Sequence, residues 1–428
     1  MGQRPGTRTA VALTVVGLAT VAFGLIYGAT GGGLGTSLPP FFAFWDPHVD
    51  TYALIGLPVV AISAAAALPL LKGRGNVAGF AAAVFAIALA ARLGFSLVRD
   101  GADGWYAVFG TSPEAGNEYL PALPALHSLG LREFLDRFAE LSPTLPIHPS
   151  AHPPGILVLL DVTGIDSAKG FAALVILAGA AAAPLTYALA RRAALDELRA
   201  RAAAVLIAFS PAAMLYGVLS TDAMFATLGL IAACLLVGAG FGSWLLGAVA
   251  LAVASFFSWA LLALGAFAAV FQLLRRGIGT AVGMSVVVGA VLIAAYAALY
   301  GAIGFDPIGS IRAAGDAYDL GIANARPYLF WLFGSPVAFA VALGLPTAWY
   351  AARALGTADE VAVGLAAIVV VSVLIGLTKA ETERIWLFMG PLAAVAAASL
   401  VPVRRMPLIV GVLLAQALAT QILLDTIW

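Results

Sequence analysis

Apolar runs long enough to cross about 30 Å of hydrocarbon recur along almost the whole chain, and they leave few folds open. They fall near residues 10–31, 52–71, 77–98, 168–190, 202–219, 223–241, 243–257, 259–274, 278–300, 329–352, 360–378, 386–402 and 407–424. In lipid a backbone must satisfy its own hydrogen bonds, so each run is expected to be a helix. The expected fold class is all-α: a polytopic integral membrane protein with about 13 transmembrane helices. The runs flanking Phe257-Ser258-Trp259 are short enough to be one re-entrant hairpin, which sets the range at 11–13. Hydrophobic residues fill 62% of the 428 positions and charged residues 10%, more apolar surface than a soluble core could bury. Ala and Gly are abundant within the runs, as close helix packing in lipid favours.

The 22 basic and 22 acidic residues cancel, and no basic face marks a nucleic-acid binder. The single cysteine, Cys234, excludes an internal disulfide framework and a cysteine-based metal site. The start MGQRPGTRT is short and basic, and no convincing cleavage site follows its apolar run. It is expected to be a retained first span and not a removable signal peptide. Abundant Ala, Gly and Arg with little Lys points to a GC-rich bacterial genome.

Orientation follows from the Lys/Arg bias. With the N-terminus in the cytoplasm, strict alternation gathers Arg4, Arg8, Lys72, Arg74, Arg191, Arg192, Arg199, Arg201, Arg275, Arg276, Arg353, Arg404 and Arg405 in the inner loops. Of the acidic residues only Asp196, Glu197, Asp359 and Glu360 stay inside, and all four histidines fall outside. The expected location is the plasma membrane, with chemistry confined to its extracytoplasmic face. The outer loops are long where the inner ones are short, residues 99–167 forming the longest and 301–328 the next.

Two pieces of the first long loop carry apolar faces and are expected to lie on the membrane as interfacial amphipathic helices. One is near 130–141, with Phe134, Leu135, Phe138 and Leu141, and the other near 155–163. Between them the proline-rich run LSPTLPIHPSAHPPG presents His148 and His152. Those prolines rule out the regular helix that a His-x-x-x-His zinc pair needs, so no metal site is assigned, although a loop-borne divalent cation held by nearby acids stays open.

These segments resemble the GT-C superfamily of membrane glycosyltransferases. Asn117-Glu118-Tyr119 stands where such enzymes carry an acidic motif, often Asp-Glu, in the first outer loop, and His152-Pro153-Pro154-Gly155 stands where they carry His-Pro-Pro-Leu. Ser220-Thr221-Asp222 places an acid at the outer start of a span, and the Ala-Arg-Arg at 190–192 falls where they re-enter the cytoplasm. Protein O-mannosyltransferases and lipid A aminoarabinose transferases (glycosyltransferase family 39) are the nearest by pattern. The resemblance covers roughly residues 77–280 by layout. It departs from the pattern in Asn117 replacing the Asp, in two extra N-terminal spans, and in the lack of a large soluble C-terminal domain. It implies a division into two N-terminal helices with an outer loop (1–76), a catalytic module (77–300), and C-terminal helices whose outer loops help bind donor phosphate (301–428).

The resemblance further implies transfer of a sugar from a polyprenyl-phosphate carrier to a cell-envelope glycan or glycolipid acceptor at the outer face. An actinobacterial origin would make mannose or arabinofuranose donors attractive. Inversion needs a general base within reach of the acceptor hydroxyl and cations against the departing phosphate. Glu118 is the first candidate for the base, with Asp103 and Asp46 behind it. A structural role for Glu118, held by Arg92, stays open. His152, His148 and Tyr119 are candidates for substrate contact. So is Asp222, for which a helix-capping role is equally open. Lys379, Arg384 and Arg326 are candidates for the phosphate, with ion pairing of Arg384 to Glu383 or Glu118 as the plain alternative. Trp386 and Tyr328 are expected to anchor helices at the interface. Two other classes remain. A transporter or flippase of a lipid-linked precursor would carry polar groups deep in its spans. A non-catalytic scaffold would not need a carboxylate, histidines and cations on one face.

Overall fold

The computed structural model describes residues 6–73, 76–376 and 378–426; Arg4 and Arg74 of the inner-loop set lie outside them. Regular structure here is 23 α-helices with short 3-10 turns, plus one antiparallel pairing of Phe44–Trp45 with Leu424–Asp425. Among the described residues, seven helices are long and apolar enough to cross a membrane: Thr7–Ala29, Ala53–Leu70, Val77–Asp103, Ala168–Arg192, Trp259–Arg276, Ile278–Ile303 and Val403–Leu423. The number rises to nine if each of two bent pairs is one span. These are Glu197–Ala208 with Pro211–Leu219, at 56°, and Tyr328–Ala342 with Leu345–Leu355, at 118°. Asp222–Leu236, Phe241–Ser255, Glu360–Ile375 and Leu387–Ala398 are shorter apolar helices.

Both bends interrupt stretches that hydropathy reads as continuous, 202–219 and 329–352. Local chemistry explains them. The Ser210 hydroxyl accepts the Ala213 N–H at 3.3 Å, and Pro211 takes the first helical position, so a new helix starts with only Phe209 and Ser210 after the previous one closes. At the second bend Gly344 adopts φ +92°, and Pro346 follows in the first turn of the next helix.

The helix Ala168–Arg192 forms the centre, packing against Val77–Asp100, Glu197–Ala208, Pro211–Leu219, Asp222–Leu236 and Gly390–Ala398. The outermost helices, Thr7–Ala29 and Ile278–Ile303, are only 11% buried over their apolar windows. Leu18 and Ile293 on them are more than half exposed, and such continuous apolar flanks call for lipid as their solvent. Packing crosses the sequence boundaries near 76 and 300. Ala53–Leu70 lies along Val77–Asp100, and Thr7–Ala29 packs on Tyr328–Ala342 and Leu345–Leu355.

The two ends of the bundle differ in chemistry. At one end arginines tie helix termini together: Arg201 pairs with Glu197 at 2.7 Å and donates to the Leu70 and Gly73 carbonyls, and Arg275 pairs with Glu360 at 3.2 Å. The other end gathers residues 101–167, the Phe44–Trp45 pairing, and the connections before Tyr328 and after Ile375.

The expected helix near 130–141 breaks at Arg137 into Leu131–Asp136 and Phe138–Leu141. Its apolar face is not laid on lipid. Phe134 and Phe138 are buried in protein, edge-to-face with each other, and Phe138 lies against Phe305. The expected helix near 155–163 forms as Gly155–Thr163 and buries Ile156, Leu157 and Leu160. Both correct the interfacial expectation, because Pro307–Leu320 packs on Phe138–Leu141, Ile278–Ile303 on Leu131–Asp136, and Leu123–Leu129 on Gly155–Thr163.

Candidate functional site

The turn Pro113–Asn117 delivers Glu118 in extended conformation into the protein, where its side chain is only 2% exposed. Its Oε1 lies 3.7 Å from His148 Nε2, and its Oε2 is buried with no hydrogen-bond partner among the described residues. Burial pushes the Glu118 carboxyl up to about 7, against the pull of His148 and Arg384 and with a further push from Glu114 and Asp222. With one oxygen uncommitted, such a carboxyl can take a proton from a hydroxyl brought to it once it is ionised. Arg92 does not hold it: that guanidinium donates to the Ala213 and Ala88 carbonyls.

His148 sits in a single helical turn, Ile147–Ala151, which the proline content had argued against; Pro149 enters it as a turn residue. The same His148 Nε2 that faces Glu118 lies 3.2 Å from Glu114 Oε1, and Asn117 Nδ2 donates to the other Glu114 oxygen at 3.0 Å. Glu114 was missed in the sequence. Its four-residue spacing from Glu118 was the available signal.

His152 follows in extended backbone, with its ring 5.1 Å from that of Phe225. It keeps partial exposure, and the solvent it has lost still drives its pKa down to about 4, Asp222 pulling the other way. A neutral imidazole there can accept a hydrogen bond as well as donate one. The next residues open the helix Gly155–Thr163, and the Gly155 N–H donates to the Phe256 carbonyl at 2.9 Å. A Cβ at 155 would run into that carbonyl oxygen, so glycine here is a condition of the helix docking where it does.

Asp222 does not cap its helix through its side chain. It accepts the Ser220 hydroxyl at 2.7 Å and pairs with Arg384 at 2.8 Å. Arg384 is further bound to Glu381 at 3.1 Å, and not to Glu383 or Glu118 as the plain alternative had it. Burial works against the Arg384 charge, but Asp222 and Glu381 outweigh it and hold its pKa above the ordinary value. Glu381 also pairs with Arg326 at 2.9 Å. Burial alone would raise the Glu381 carboxyl, yet the two arginines hold it below the usual range.

Arg326 is buried, donates to the Lys379 carbonyl at 2.7 Å and stacks 5.1 Å from the Phe42 ring centre, while its Nε lacks a partner among the described residues. The Lys379 ammonium makes no hydrogen bond or ion pair among them. Glu383, seen in the sequence only as an ion-pair partner, accepts the Phe42 N–H at 2.7 Å. Its other oxygen is buried with no hydrogen-bond partner among the described residues, and burial pushes the carboxyl up to about 7.

The remaining candidates sort by burial. Tyr119 is fully buried at the edge of Phe171, its hydroxyl turned toward Thr221 without a well-formed hydrogen bond. It forms the wall under Glu118. Asp103 is exposed and faces Tyr106, and Asp46 is exposed and paired with Arg99 at 2.6 Å. Neither joins the Glu118 cluster. Trp386 is buried against Phe339 and donates to Thr378 at 3.2 Å, a strut for the 378–384 strap and not an interface anchor. Among the described residues, no three His, Cys, Asp or Glu side chains are grouped to hold a metal ion.

No protein-family model and no curated protein sequence matches this chain. The cluster thus rests on its own chemistry: a buried acid with one free oxygen, two imidazoles and a strap of cations at one end of an apolar bundle.

Proposed function

We propose that the chain is a GT-C-type membrane glycosyltransferase that moves a sugar from a polyprenyl-phosphate carrier to an envelope glycan or glycolipid. The observation that carries this reading is the buried, unpartnered Oε2 of Glu118 beside His148, Asp222 and Arg384. Glu118 removes the acceptor hydroxyl proton as that oxygen attacks the sugar from the face opposite the phosphate, so the configuration inverts. Lys379 and Arg326 meet the departing phosphate, and Arg384 joins them when it exchanges Glu381 for the donor. In this reading the seven long helices, the two bent pairs and the four shorter apolar helices make thirteen crossings. Phe241–Ser255 packs on Asp222–Leu236 and Ile278–Ile303, and Trp259–Arg276 on Ile278–Ile303 and Glu360–Ile375, which supports reading the two as separate spans. The arginine-tied end then faces the cytoplasm of the plasma membrane and the site faces outward.

The flippase reading draws support from Arg92, a cation buried within a candidate span. The void beside it is about 10 Å³, room for roughly one water and far too small for a lipid headgroup. Glycosyl transfer is favoured. The test is incubation of purified protein with labelled polyprenyl-phosphate sugars, mannose and arabinofuranose among them, and envelope lipid acceptors, beside Glu118→Gln. Transfer that Glu118→Gln abolishes supports the assignment. Undiminished transfer by that variant removes Glu118 as base, and no transfer from any donor removes the enzyme reading.

A further inference from the structure

A base buried as deeply as Glu118 has to lose the proton it takes before it can act again, and it has no open path to water of its own. Glu118 is 2% exposed, with Tyr119 fully buried beside it. The groups facing it are Glu114 on its own turn, His148 on the following helical turn, Asp222 at the start of Asp222–Leu236, and Arg384 on the strap. Arg384 carries no proton it can release at working pH, and Asp222 is already committed to Arg384 and Ser220. His148 and Glu114 can each receive a proton and pass it on, and His148 Nε2 lies 3.7 Å from Glu118 Oε1.

We propose that His148 and Glu114 form a proton exit that resets Glu118 after each turnover. His148 Nε2 lies between the two carboxylates, 3.7 Å from Glu118 Oε1 and 3.2 Å from Glu114 Oε1. Exposure rises along the same line, the side chains being 2%, 8% and 13% exposed for Glu118, His148 and Glu114. Pick-up and hand-over take place at one nitrogen, so a small swing of the ring replaces any change of tautomer.

The bookkeeping of protons closes. The acceptor O–H breaks and its proton forms O–H on Glu118 as the acceptor oxygen bonds to the sugar. The Glu118 O–H then breaks as an N–H forms on His148 Nε2, giving an imidazolium whose other proton stays on Nδ1. That N–H breaks as Glu114 Oε1 takes the proton, and Glu114 releases it to water. Asn117, donating to Glu114 Oε2, keeps Oε1 turned toward the imidazole. Glu114 and His148 act through Glu118 and touch no substrate, so they are relay and positioning residues. Histidine suits the middle place because one imidazole nitrogen can accept a proton and then donate it.

The relay rests on Glu118 being the base, but it can be tested without any sugar donor. The full-length protein in nanodiscs would be followed by time-resolved infrared spectroscopy after a rapid pH jump, with the protonated-carboxyl band assigned by its loss in Glu118→Gln. Deprotonation of Glu118 is expected to slow about a hundredfold in His148→Phe and by a smaller factor in Glu114→Gln, as general acid–base groups usually contribute. Added imidazole should restore much of the rate to His148→Ala, with a pH dependence set by the free base, which a merely structural histidine would not show. Should His148→Phe not fold, His148→Asn carries the same comparison. Unchanged rates in both the His148 and Glu114 variants overturn the relay, as does the lack of any band that Glu118→Gln removes. A relay that holds while no donor is turned over leaves the exit standing and removes the glycosyltransferase reading. Transfer that needs Glu118 but ignores His148 in rate and pH profile removes the relay alone.

Discussion

Arg384 and Asp222 lie 162 positions apart in the chain and meet at 2.8 Å, each only 5% exposed. Their pairing fastens the strap Thr378–Trp386 to the start of the helix Asp222–Leu236, bringing two polar segments of the bundle end together. A buried pair of this kind contributes little against a well-packed apolar replacement, yet removing one partner strands a charge. Asp222→Ala is therefore expected to cost about 3 kcal/mol, reduced where Glu381 keeps part of Arg384 satisfied. Thermal unfolding of the purified protein measures it. The double variant Asp222→Leu with Arg384→Met should be less destabilised than the sum of the singles. A sum that is merely additive would mean the two side chains do not stabilise each other.

Glu118 and Glu383 are both raised from an ordinary 4.5 to about 7, and this fixes the sign of two pH effects. For transfer, the base works only when ionised. The rate should rise about tenfold per pH unit below 7 and level off above it. For stability the direction is opposite. Between 4.5 and 7 the native protein holds protons that the unfolded chain has released, so this contribution is fully present below 4.5 and is lost as pH rises through 7. Melting temperature should fall over that window, and fall less in Glu118→Gln. An activity profile that declines toward high pH, with no rise through 7, would contradict the assignment.

What the sequence could and could not show follows from which interactions are local. Hydropathy found the seven long apolar helices because apolar length is a one-dimensional property, and Glu118, His148, His152, Asp222 and Arg384 were legible as polar punctuation between apolar runs. Asp46 and Asp103 satisfied the same rule of an acid in an outer loop. Nothing in the order of residues says that Arg99 reaches Asp46 across 53 positions. The Phe134 and Phe138 face looked like a membrane contact because an amphipathic pattern records only that something apolar covers it. Phe305, far along the chain, does. Glu381 was invisible as a bridge between two arginines, since its partners Arg326 and Arg384 stand at 55 and 3 positions' distance and converge only in the fold.

Glu381 occupies the place between Arg326 and Arg384 that an incoming phosphate would claim. It does so at φ +58°, a left-handed backbone that a non-glycine residue adopts at a cost. Glu381→Gln removes the competing charge and leaves the side chain's shape. The donor KM is expected to fall about tenfold, equivalent to 1.4 kcal/mol, with kcat less affected. Arg326→Ala should act the other way. Steady-state kinetics across a polyprenyl-phosphate sugar series checks both, and a higher donor KM in Glu381→Gln would show that the carboxylate positions the arginines instead of masking them.

Gly155 stands where the GT-C enzymes that this segment resembles carry leucine, and the contacts around it exclude a side chain. The helix Gly155–Thr163 starts with its first N–H bonded to the Phe256 carbonyl, and any side chain at 155 meets that carbonyl and the Phe257 ring. Backbone cannot yield as a flexible side chain would. Gly155→Leu should therefore push the helix away from Phe256, costing roughly 1–3 kcal/mol as overpacking does. The shift would carry His152 with it, three residues upstream and 5.1 Å from Phe225. Transfer activity should drop further than stability alone explains, since a displacement of about 1 Å near a reacting centre can cost about a hundredfold. Gly155→Ala should show the same ordering with smaller losses. Wild-type melting temperature and activity in Gly155→Leu would mean that the contact with Phe256 does not set the position of His152.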